Sequence, residues 1–115
     1  MIELRNSEEI KAIARSGKIV GKVLQRIKEF VRPGITTKDI DDLAMKSVKE
    51  MGARPAFLGY HGYPAAVCVS VNSEVIHGIP SRKRIIKAGD IVSVDFGVEL
   101  NGFYGDAAIS VAAGT

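Results

Sequence analysis

The dipeptide Asn101-Gly102, set in the run IVSVDFGVELNGFYGDAAIS, constrains this chain more than any other feature. Asn-Gly tolerates the positive φ angles of a two-residue type I′ turn, and apolar residues alternate on both sides of it, so the run reads as a β-hairpin. Without a bulge, opposing residues have numbers that sum to 203, as Leu100 and Phe103 do. A slip of one residue would exchange the two faces, so the faces test the register. One face carries Val92, Val94, Phe96, Val98, Leu100, Phe103, Ala107, Ile109 and Val111, and the other Ser93, Asp95, Gly97, Glu99, Tyr104, Asp106, Ala108 and Ser110. Asp95 and Asp106 therefore share the polar face, with Gly97 opposite Asp106 and Asp95 one diagonal step away, α-carbons ~7–8 Å apart. Two carboxylates within reach of a common point are a candidate cation site. From the hairpin alone, the same pair also fits a solvated sheet face.

Ahead of the hairpin the chain is helical in pattern. Asn6 followed by Glu9 reads as a capping box, and Ile10, Ile13, Val20, Leu24, Ile27 and Val31 recur at helical spacing until Pro33-Gly34 stops the pattern. Lys11, Arg15, Lys18 and Lys22 form the wet side of this helix. Thr36 or Thr37 caps a second helix with a buried stripe of Ile40, Leu43, Ala44, Val48 and Met51, which Gly52 ends. The texture then changes to a segment dense in Gly, Pro and aromatics, with strands expected at 67–71 and 74–77. A polar turn, Lys87-Ala88-Gly89-Asp90, leads into the hairpin. Two helices followed by antiparallel strands predict an α+β fold with the helices on one sheet face. No repeat, low-complexity stretch or linker interrupts the chain, and 115 residues with 46% hydrophobic content suit one domain. The last residues, Ala112 to Thr115, leave the final strand without a following element, as in a cut through a larger fold.

Charge and cysteine content exclude several classes. The net charge of +3 is spread along the chain apart from Arg82-Lys83-Arg84, a triplet that reads as solvated loop, so nucleic acid is not an expected partner. One cysteine, Cys68, permits no internal disulfide, the charged N-terminus MIELRNSEEI is no signal peptide, and no apolar stretch approaches the ~18–20 residues of a membrane helix. A soluble cytoplasmic setting is expected.

The loop-rich middle holds most of the reactive side chains. His61 and His77 are each followed by glycine and lie near a proline; imidazole there can bind metal, relay a proton or hydrogen-bond a peptide, or serve only in a turn. Phe57, Tyr60, Tyr63 and Cys68 would line a compact apolar space if the Gly-rich loop folds back on the strand, and would otherwise be core. A nucleophilic role for Cys68 lacks an adjacent base or helix end in VCVSV. GYHGYP lacks the lysine and the strand-loop-helix setting of a phosphate loop.

The segments GYHGYPAAVCVSVNSEVIHGIP and GDIVSVDFGVELNGFYGDAA closely resemble the type I methionine aminopeptidases. The resemblance covers essentially the whole chain, and HGIP with two aspartates eleven apart is specific to it. It implies the N-terminal half of the pita-bread fold, two similar halves about a pseudo-twofold axis with the metal site between them. It further implies that Asp95 and Asp106 are ligands of two divalent ions (Co, Mn, Fe or Zn), the first bidentate and the second bridging, with metals ~3.5–4 Å apart. His77 is then the histidine that contacts the scissile peptide, and His61 lies near the residue after the cut. Phe57, Tyr60, Tyr63 and Cys68, with His61 and His77, would receive a peptide or nascent chain that begins with the initiator methionine and has a small second residue.

The family's remaining ligands, one histidine and two glutamates, belong to a C-terminal half this chain lacks, so little activity is expected from it alone. Two other readings stand beside the first. One is a non-catalytic half-fold that binds a partner or a second copy, and the other is a different pita-bread peptidase, such as a prolidase or aminopeptidase P.

Overall fold

The computed structural model describes residues 7–72 and 78–114, with His61 by its backbone. Helix α1 spans Ser7–Phe30 and α2 spans Thr37–Glu50; the strands are β1 at Arg54–Pro55, β2 at Val67–Val71, β3 at Ile91–Leu100 and β4 at Phe103–Ala112. Asn6 and the strand expected at 74–77 lie outside the described residues. The second helix is capped by Thr36, which forms a full capping box with Asp39.

All pairings are antiparallel, and β3 is the centre: β1 and β2 share one of its edges and β4 takes the other. The hairpin register follows the sum of 203 along its whole length, from Leu100 opposite Phe103 to Ile91 opposite Ala112. Asn101 and Gly102 supply the turn with φ of 52° and 84°.

Both helices cover one face of the sheet. Val92, Val94, Phe96 and Val98 from β3 and Val67, Val69 and Val71 from β2 are buried there with Val20, Val23, Leu24 and Ile27 from α1 and Ile40, Ala44 and Val48 from α2. Each such Val, Leu, Ile or Phe side chain contributes about 1.5–3 kcal/mol on burial. The stripe expected on α1 needs one correction, because Ile10 is 56% exposed whereas Ala12 and Ser16 are buried. The helix meets the sheet where Ser16 and Gly17 cross Gly105 of β4: an added Cβ on Gly105 would lie 3.0 Å from backbone atoms of both. Ser16 Oγ donates to the Phe103 carbonyl at 3.0 Å beside this crossing. Ala107, expected on the core face, is exposed as well. No helix among the described residues is long and apolar enough to cross a membrane.

Candidate active site

The sheet face turned away from the helices carries the acids. Strand pairing sets Asp95 opposite Ala108 and Gly97 opposite Asp106, so the two aspartates are diagonal neighbours with exposed side chains. On the other edge of β3, Cys68 is the register partner of Asp95, and Ser70 that of Ser93. Ser93 in turn faces Ser110, their hydroxyls 2.9 Å apart. A row of three serines thus runs across the strands one step from the row Cys68–Asp95–Ala108, and together they line an open cleft of ≈ 300 Å³.

Gly97 is buried although it belongs to the polar face. An added Cβ there would lie 3.3 Å from Ala56 Cβ, from Phe57 Cε1 and from Asp106 Cβ. The chain after β1 therefore lies over Gly97 and brings Phe57 to the flank of Asp106, where both border a second cleft of ≈ 330 Å³.

From that point the loop folds back on β2. Tyr60 N–H donates to the Phe57 carbonyl and Gly59 N–H to that of Tyr63, with Gly59 and Gly62 at φ of 83° and 78°. Phe57 and Tyr63 stack edge to face with ring centres 6.4 Å apart. Phe57, Tyr60, Tyr63 and Cys68 line one apolar cavity of ≈ 270 Å³. Its Cys68 wall adjoins Asp95, so the apolar cavity and the acids occupy neighbouring parts of one surface.

Electrostatics follow from this crowding. Desolvation, and then the charge of Asp106, push the Asp95 carboxyl above its ordinary range. Burial, and then a hydrogen bond with Cys68, hold the Tyr63 phenol well above its usual value. Its hydroxyl donates to the Val67 carbonyl at 2.7 Å.

Two neighbouring carboxylates suit a hard or borderline divalent cation, which takes oxygen donors and offsets their like charge. The donor set is partial, since among the described residues no group of three or more His, Cys, Asp or Glu converges. His77 lies outside the described residues; Gly78, which follows it, is tied to β2 through the Val69 N–H at 2.7 Å. His61 falls in the Tyr60–Gly62 turn. The residue pattern sets Gly97 opposite Asp106 and puts Ser93 and Ser110 on the same face, but the packing of Ala56 and Phe57 on Gly97 and the completion of the serine row by Ser70 come only from the tertiary structure. A glycine opposite an acid in a strand otherwise rich in β-branched residues was the available signal.

Residues 11–115 match metallopeptidase family M24, to which this chain belongs. Within that family it is 49% identical to the methionine aminopeptidase of Clostridium acetobutylicum, over 99% of this chain and 46% of that protein. The crystal structure of methionine aminopeptidase from Thermotoga maritima superposes with a TM-score of 0.94 at 42% identity, covering 99% of this chain and 46% of that one. An Xaa-Pro dipeptidase from Bacillus anthracis shares the fold, with a TM-score of 0.81 at 24% identity. The chain spans about half the length of the curated relatives it matches, so its two helices and antiparallel sheet are one half of a pita-bread fold.

Proposed function

We propose that this chain is the half of a methionine aminopeptidase that carries two of the metal ligands and the pocket for the methionine side chain, and that the completed enzyme removes the N-terminal methionine from peptides and nascent proteins. The observation that carries the reading is the pairing of Cys68 with Asp95, which sets the apolar cavity next to the acids. Phe57, Tyr60, Tyr63 and Cys68 receive the thioether, a flexible and uncharged group suited to an apolar lining. His77 holds the scissile peptide and His61 the residue after it. Asp95 and Asp106 hold divalent metal, which when bound supplies Lewis-acid polarisation of the peptide carbonyl and an activated water. With only two ligands from this half, the chain alone binds metal weakly and turns over little peptide. The cytoplasm, where nascent chains emerge, is the compartment this reading requires.

The test is calorimetric titration of Mn(II) or Co(II) into this chain and its Asp106→Ala variant, together with assays on Met-Gly-X and X-Pro peptides with and without an added second half. Weaker metal binding in the variant, and Met-Gly-X cleavage only with the second half present, support the reading. Equal affinities, or preferred X-Pro cleavage, overturn it. The identities of 49% and 42% to methionine aminopeptidases, against 24% to the dipeptidase, favour the first substrate class.

One feature favours self-association as a second reading. Strand β4, FYGDAAISVA, pairs only with β3 among the described residues and has no Lys, Arg or Pro to guard its free edge. Sedimentation equilibrium decides it: a strict monomer at high concentration excludes a dimer.

A further inference from the structure

Among the described residues, Asp41 is the only carboxylate in the buried set, with 0% exposure on the inner face of α2. Its Oδ1 accepts hydrogen bonds from Ala66 N–H at 2.7 Å and Val67 N–H at 3.3 Å. Its Oδ2 takes the Lys38 ammonium at 2.7 Å, and that hydrogen bond is the main cause that holds Lys38 above its usual range. Only the Asp41 end of this pair is buried, the Lys38 side chain being 31% exposed, and a carboxylate taken out of water is often no more stabilising than well-packed apolar atoms of the same volume, so stability alone does not account for it here.

What Asp41 grips is the entry to β2. The same Val67 residue whose N–H points to Asp41 gives its carbonyl to the Tyr63 hydroxyl at 2.7 Å. Cys68 follows directly, and Tyr63 and Cys68 are two of the four walls of the apolar cavity. A carboxylate on the helix layer therefore reaches through the sheet entry to the walls of a cavity that opens on the opposite side.

We infer that Asp41 is a positioning residue for the side-chain pocket: through the Ala66 and Val67 amides it sets Cys68 and Tyr63 against Phe57 and Tyr60, and so determines which side chain the pocket accepts. This rests on the pocket reading above and adds a specificity role for a residue that touches neither metal nor substrate. Asp41 acts by direction rather than by charge, because its two N–H bonds need only an acceptor oxygen at that point.

Cys68 is the only cysteine, so its rate of labelling by a disulfide reagent reports the pocket directly. In the unaltered chain, L-methioninamide protects Cys68 at lower concentration than L-valinamide does. Asp41→Ala, folded by circular dichroism, narrows that preference at least tenfold, whereas Asp41→Asn, which keeps the acceptor oxygen, stays within about threefold of the unaltered chain. Lost stability by itself leaves the ratio unchanged among folded molecules. Where the alanine variant does not fold, Asp41→Glu carries the test: it keeps charge and acceptors but lengthens the arm by one methylene, and shifts the ratio at least fivefold. A folded Asp41→Ala or Asp41→Glu with the original ratio overturns the inference. No protection in the unaltered chain overturns the pocket reading instead, and the inference with it.

Discussion

Gly97 lies directly opposite Asp106 in the β3–β4 ladder, and its missing side chain is what lets the Phe57 ring settle beside that carboxylate. The apolar wall and the candidate ligand are thereby held at one spot by the absence of a methyl group.

Gly97→Ala places a Cβ 3.3 Å from the Phe57 ring, which can turn slightly, and from the Cβ atoms of Ala56 and Asp106, which move only with their backbone. Overpacking of this kind costs about 1–3 kcal/mol, offset in part by the ~0.5–1 kcal/mol that alanine gains over glycine in a strand interior. A net loss of about 1 kcal/mol in urea unfolding is expected, with weaker Mn(II) binding as Asp106 is displaced.

Gly105→Ala is the more damaging change. Its Cβ would sit 3.0 Å from backbone atoms of Ser16 and Gly17, which cannot swing aside, so α1 must lift from β4 and strain the Ser16–Phe103 hydrogen bond. A loss of about 2–3 kcal/mol is expected in the same assay. Gly17→Ala, whose Cβ meets nothing within 4 Å, should instead stabilise the helix by about 0.5–1 kcal/mol.

The Thr36–Asp39 capping box makes α2 sensitive to acid. The Thr36 backbone N–H, bonded to Asp39 at 2.8 Å, is the main cause that lowers this carboxyl from its ordinary value of 3.8. A depressed folded value means that the stabilisation is present above the unfolded value and is lost as pH falls through the folded one. Urea midpoints followed from pH 5 to pH 2 should therefore fall less in Asp39→Asn than in the unaltered chain, while Thr36→Ala costs about 1 kcal/mol at neutral pH.

Asp95 has the opposite sign. Its carboxyl is raised, by desolvation and then by Asp106, so its favourable contribution is present below the unfolded value and lost as pH rises through the folded one. Asp106→Asn should lower the Asp95 midpoint in a carboxyl NMR titration and raise stability at neutral pH. An unmoved midpoint would show that the two acids do not sense each other.

Much of the fold was legible because it depends on local chemistry. Thr36 or Thr37 at one end and Gly52 at the other delimit the second helix in the sequence, with Thr36 the cap in the structure, and the residue types of Phe57, Tyr60, Tyr63 and Cys68 already group them as the lining of one apolar space. Errors fell where distant elements meet. Ile10 has the helical phase of a core residue but projects beyond the crossing at Gly105, and Ala107 stays exposed on the nominally apolar face. Asp41 lies beside Ile40 in the sequence, yet only the approach of Ala66 and Val67 makes a buried carboxylate tolerable there.

The sequence by itself determined that Asp95 and Asp106 share a face, because a two-residue Asn-Gly turn sets the register and the pleat has a period of two. Tertiary structure alone decided what stands beside them. Cys68 came to face Asp95, and Phe57 to flank Asp106, through strand pairing and a loop fold between segments far apart in the chain. No local pattern encodes such contacts, since they depend on how helices, loop and sheet share one core.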